Sequence, residues 1–280
     1  MTTLTATRRR PKRPQRPRRA KGGARRVAAL ARAELRLLVR NRTAMFTALA
    51  LPIAMVGLLR MSGTGDDAAA GVGATMTAMM IGFVLLFVVY YNLVSAYVGR
   101  REELVLKRLR VGEASDAEIL TGTALPSLIL ALVQTVLMTL GVAMTIGFDS
   151  PVNLLLVFVA LVGGSIVFVL LAAASTAFTK NVETAQVSTL PVLMVCMPLS
   201  GMMFPLSQWP DAVADVARFL PLTPVVDLVN LGLSGVSVDG SVVDFAASFE
   251  AAMMPVAVLV AWIGVGVWAQ RRWFRWEPRG

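Results

Sequence analysis

The sequence predicts an all-α, polytopic membrane protein with six transmembrane helices, and three observations carry that reading. The chain is 56% hydrophobic and 16% charged, with a mean hydropathy of +0.68, whereas about a quarter of a soluble domain is charged. Its apolar residues fall into six long runs separated by short polar stretches, the pattern of helices that cross a bilayer. The basic charge is one-sided: fifteen of the 27 Lys and Arg residues precede residue 43.

Several function classes drop out on composition. The net charge of +10 suggests nucleic acid at first sight, but a concentrated terminal charge is not a basic folded surface, and no nucleic-acid partner is expected. There is no His and one cysteine, Cys196. That excludes a disulfide within the chain, a Cys/His zinc site and a histidine proton relay. No Gly-x-x-x-x-Gly-Lys-Ser/Thr occurs, so any ATP used must be bound by another polypeptide. No repeat of solenoid period is present.

Residues 1–23 are rich in Arg, Pro and Lys and are expected to be a disordered basic cytoplasmic arm, since like charges repel and proline blocks helix. They lack the apolar stretch of a signal peptide. Their affinity for anionic lipid would be roughly 1 kcal/mol per basic residue near the surface; a plain topology-fixing tail is the simpler reading. In 24–42, Arg25, Arg32, Arg36 and Arg40 share one helical face and Val27, Leu30, Leu35, Leu37 and Leu38 the other. This predicts an amphipathic helix lying in the membrane interface.

A transmembrane domain then fills 43–270, with spans at about 43–59, 72–98, 119–147, 154–178, 187–204 and 249–269. The first is short and carries Pro52; the fifth is expected to be broken by Pro191 and Pro198. A semi-polar stretch, 205–248, separates the fifth and sixth spans. There, Pro210 at a helix start and Pro221 and Pro224 further on predict two short helices with a kink between them. Trp268, Trp273 and Trp276, with Arg271 and Arg272, anchor the last span, and 271–280 is a cytoplasmic tail.

Orientation follows from the basic residues. With the N-terminus inside, the inward segments hold 25 Lys and Arg residues and the outward ones only Arg60 and Arg218. Both termini are therefore expected in the cytoplasm of a multi-pass cell-membrane protein.

No Asp, Glu, Lys or Arg interrupts the interior of the second to sixth predicted spans. A mid-span charge costs about 2.5–3.5 kcal/mol on insertion scales and is kept mainly for function, so its absence argues against a proton- or sodium-coupled carrier. The candidates for a translocation path are Asn92, Gln134, Thr135 and Met197, against the plainer reading of interhelical hydrogen bonds and apolar filler. The small residues Gly163-Gly164-Ser165 and Ala172–Ser175 allow close helix approach.

The densest charge within the hydrophobic region is the stretch 99–113, between the second and third spans. Glu102 and Glu103 precede Lys107 and Arg108 at helical spacing, with leucines at 104, 106 and 109 and a stop at Gly112. This predicts a short helix whose acidic start and basic end suit the macrodipole, and another short helix from Ser115, with Glu118 completing a capping box. Setting topology would need the basic residues alone. The acidic start and leucine row point to a docking element.

At this point the chain resembles the membrane subunits of type-2 ATP-binding-cassette exporters, in the daunorubicin-type drug-resistance group, over about residues 27–272. The likeness rests on the interfacial helix, the six spans, Arg101-Glu-Glu-Leu-Val-Leu-Lys-Arg-Leu-Arg110, the turn 178–186, Ser200-Gly-Met-Met-Phe-Pro205, Trp209-Pro210 and Leu220-Pro-Leu-Thr-Pro-Val-Val-Asp227. Pro224 and Asn230 depart from the pattern, which more often has an aromatic and an arginine there. The resemblance implies a half-transporter working with a separate cytoplasmic ABC ATPase and a second permease chain, identical or homologous. No cofactor is implied on this chain; ATP and magnesium would sit on the ATPase. The resemblance assigns ATPase coupling to Arg101, Glu102, Glu103, Leu104, Lys107, Arg108, Leu109 and Arg110. It assigns a cap of short extracellular re-entrant helices to the region of Pro205, Pro210, Pro221, Thr223 and Asp227. The implied function is ATP-driven export of a hydrophobic or amphiphilic compound: a drug, antibiotic or lipid. The alternatives are an ATP-independent secondary carrier and export of a lipid-linked glycan.

Overall fold

The computed structural model describes residues 71–104, 116–146 and 150–274, with Arg32, Arg36, Ala54, Gly57, Leu58 and Met61 as isolated positions. All six isolated positions are helical and exposed. The basic arm, the rest of the amphipathic helix and most of the first predicted span lie outside the described residues, as do Lys107, Arg108, Leu109 and Arg110.

Eight helices are described, five of them long and apolar enough to cross a membrane. They are α1 (Val72–Glu102), α2 (Asp116–Thr145), α3 (Leu154–Ser175), α4 (Val182–Leu199), three short ones, α5 (Asp211–Ala217), α6 (Thr223–Ser234) and α7 (Phe245–Ala251), and finally α8 (Met253–Trp273). The one β-bridge among the described residues pairs Val236 with Val242 in a small flap after α6.

α1 is the central post. It buries 61% of its most apolar stretch, against 22–33% for the other four long helices. Its middle, Val84–Tyr91, winds as a π-helix and packs on α2 and α3. The other long helices turn large apolar side chains outward, among them Leu132, Val136 and Leu140 of α2 and Phe158 and Val162 of α3. Helices facing lipid need no polar outer face.

Several expected boundaries move, each for a local reason. α4 begins five residues before the predicted 187 because Asn181 and Thr184 form a reciprocal capping box. It then runs through Pro191 without breaking and ends at Leu199, before Gly201 at φ 75°. Proline inside a membrane helix is tolerated where neighbours re-satisfy the freed carbonyls. α8 starts four residues later than predicted, since Asp244 caps the separate helix α7 by accepting from the Ala247 amide at 2.8 Å. The expected short helix at Ser115 is not separate: from Asp116 onward it is the first turn of α2.

The small residues of α3 do what their size allows. A Cβ on Gly164 would stand 2.8 Å from Val225 of α6 and 3.0 Å from Leu85 of α1, and one on Gly163 would stand 3.0 Å from Leu259 of α8. α3 is thus the shared wall against which α1, α6 and α8 pack.

Candidate functional sites at the two ends of the central helix

At the C-terminal end of α1, Arg101 is 1% exposed, the largest fully buried side chain described. Its guanidinium donates to the carbonyls of Thr176 at 2.8 Å, Thr179 at 2.6 Å and Lys180 at 3.0 Å. Those carbonyls lie at the C-terminus of α3 and in the turn to α4, where intrahelical donors have run out and the helix dipole is negative. The planar, multi-donor guanidinium suits such a fan of acceptors. The turn is further knitted by Thr179 and Ser188, 2.7 Å apart, and by the Asn181 cap. A Cβ on Gly99 would lie 3.3 Å from Val182, so glycine lets the end of α1 settle against the start of α4.

This placement alters the reading of the charged stretch. Arg100, Arg101 and Glu102 form the last turn of α1, with Glu103 its cap, and are not the acidic start of a new helix. The break comes at Leu104, which adopts φ 59°, a left-handed conformation that ends a helix. Arg101 accordingly points into the protein. Glu102, Glu103 and Leu104 are exposed beside it, so the surface and the buried anchor occupy consecutive positions.

The four path candidates are not brought to one place. Gln134 and Thr135 are buried in α2, on the helix packed against α1. Met197 is half-buried against the core. Asn92 differs: it is exposed in the middle of the mostly buried α1, as is Phe87 nearby.

At the opposite end of α1 lie the residues that the resemblance assigns to a cap. Pro205 precedes a single 3-10 turn, Leu206–Gln208, and Pro210 stands at the N-cap of α5. The Thr223 hydroxyl donates to the Ala217 carbonyl at 2.6 Å, tying the start of α6 to the end of α5, with buried Pro221 between them. α6 is buried along most of its length among α1, α3 and α8. It is further pinned where Gly232 meets the start of α3, its carbonyl accepting from the Asn153 amide at 2.8 Å.

Asp227 of α6 lines two adjoining cavities, of about 510 Å³ and 270 Å³. The larger lies toward α1, with Thr75, Met76, Leu206 and Asn230; the smaller lies toward α8, with Arg218, Met254 and Val258. The flap residues Ser237, Val238 and Asp239 border both. Burial pushes the Asp227 carboxyl up to about 7, with the positive charge of Arg218 pulling the other way. Asp239 is held below the usual carboxylate range by hydrogen bonds from the Ser241 hydroxyl and amide, at 2.7 Å and 3.1 Å. Of this set, the motif reading reached Asp227 and noted Asn230 only as a departure. Arg218 and Asp239 belong to other segments, and no local pattern connects them to Asp227.

Compared with known proteins, the chain matches a family profile described as ABC-2 type transporter over residues 25–233, well over half of its length. No curated protein sequence matches it. The matched region covers α1 to α6, and so includes both the Arg101 anchor and most of the larger Asp227 cavity. With its long apolar helices, the chain is a multi-pass membrane protein and a transport subunit: it belongs to the ABC-2 type transporter family.

Proposed function

We propose that this chain is the permease subunit of an ATP-driven exporter. A separate cytoplasmic ATPase holds the ATP and magnesium, a second permease chain completes the path, and the cargo is a hydrophobic or amphiphilic compound. The observation that carries the coupling reading is Arg101. Through it, the charged stretch at the end of α1 is hydrogen-bonded to the turn between α3 and α4. A push delivered to the exposed Glu102, Glu103 and Leu104 therefore moves three long helices together. Basic residues dominate this end in the sequence, which supports placing it in the cytoplasm and the Asp227 cavities outside.

Asn92 and Phe87 support a path along the open face of α1, between two copies. The daunorubicin-type resemblance supports a drug or antibiotic as the cargo.

The test is co-purification of the tagged chain with a P-loop ATPase, followed by ATP-driven efflux from vesicles. Charge reversal at Glu102 and Glu103, or at Lys107 and Arg108, is expected to abolish efflux while the protein still reaches the membrane. Unchanged efflux in both variants overturns the coupling assignment. Transport by this chain alone in proteoliposomes, driven by a pH gradient, overturns the ATP-driven reading.

A further inference from the structure

The Asp227 cavities have a composition that the coupling reading does not use, and we infer that they bind an organic ammonium group. Its nitrogen would lie between Asp227 and Asp239, and its apolar part along Met76, Leu206 and Val226. The larger cavity, about 510 Å³, is of the size that holds small organic ligands. Its apolar lining is broken by the carboxylates of Asp227 and Asp239 and by the side chain of Asn230. The buried Asn230 Oδ1 has no hydrogen-bond partner among the described residues. Arg218, the cation bordering the smaller cavity, pairs with Asp215 at 3.6 Å, on the exposed side of α5.

The Asp227 carboxyl beside an apolar pocket, with exposed Asp239 at the rim, calls for a ligand with a positive charge, N–H donors and a hydrocarbon body. A metal ion fits less well, because the described residues contain no group of three His, Cys, Asp or Glu placed to hold one. The ammonium could belong to the exported compound or to the headgroup of an amino-phospholipid. Such a site gives the export reading a substrate class, and rests on that reading for this purpose alone; binding itself requires neither ATP nor a partner.

The experiment uses the full chain in phosphatidylcholine nanodiscs, without ATPase, titrated with octylammonium and, separately, with octanol. Saturable octylammonium binding that octanol does not displace is expected. Asp227→Asn should weaken it about tenfold or more, Asp239→Asn should weaken it to a smaller extent, and Arg218→Gln should strengthen it. Equal binding of octanol, or unchanged affinity in both carboxylate variants, overturns the inference. Should Asp227→Asn fail to fold, Asp239→Asn and the cavity-filling Met76→Trp decide, and both must lose affinity. Repeating the titration in phosphatidylethanolamine separates the two sources: competition by that lipid identifies a headgroup site, and its absence identifies a cargo site. Failure here leaves the co-purification test untouched, and failure of that test leaves this binding measurable.

Discussion

Arg101 is costly to bury and is kept in place by three carbonyls, that of Thr176 at the end of α3 and those of Thr179 and Lys180 in the turn to α4. Removing the guanidinium strands those acceptors, so Arg101→Met is expected to cost on the order of 3 kcal/mol of stability. Arg101→Lys keeps the charge but not the fan of donors, and should fall between. Thermal unfolding in detergent measures both, and a variant as stable as the parent would remove Arg101 from its anchoring role. Asp227 makes a different prediction. Its folded pKa is raised to about 7 from 3.8, so between those values the folded state holds more protons than the unfolded chain. Its contribution to stability is full below pH about 4 and is lost as pH rises through about 7. Unfolding temperatures measured across that window should decline in the parent and flatten in Asp227→Asn.

At the scale of elements, the packing depends on where side chains are missing. Gly164 of α3 lies under Val225 and Leu85, and an added methyl would meet them at 2.8 Å and 3.0 Å. Gly164→Ala is expected to destabilise by about 1–3 kcal/mol through overpacking. The control is Gly264 of α8, where a Cβ meets nothing within 4 Å. Gly264→Ala should be neutral or slightly stabilising, because alanine is the better helix former. Comparison of the two unfolding temperatures checks the wall that α3 provides. The existence of these helices was legible from unbroken apolar runs, and their pairing was only hinted at by small residues. The π-helical stretch Val84–Tyr91 had no visible signal: Val-Leu-Leu-Phe-Val-Val-Tyr-Tyr contains neither Gly nor Pro. Its geometry accompanies contacts with α2 and α3 that lie far away in sequence.

For the whole molecule, the two ends of α1 carry different chemistry, a buried arginine anchor at one and a carboxylate-lined pair of cavities at the other. Proposed sidedness is open to direct measurement. With Cys196→Ala as background, Ser241→Cys in the flap should react with an impermeant maleimide on intact cells. Glu183→Cys, exposed at the start of α4, should react only after lysis. The reverse pattern would invert the molecule and place Arg101 outside.

Composition and hydropathy by themselves were enough to specify a helical membrane protein and the five long helices described, though not all of their ends, because insertion into lipid is governed by local apolar length and by flanking charge. The short helices after Pro210 and around Pro224 were legible for a similarly local reason: proline acts on its own turn. Tertiary structure alone decided what surrounds Arg101 and Asp227. The partners of Arg101 lie 75 to 79 residues away, and Asp227 shares its cavities with Thr75, Arg218 and Asp239 from three other segments. Whether an arginine meets another subunit or locks its own helices, and whether a carboxylate lies bare or lines a pocket, depends on which distant groups reach it. Only packing supplies that information.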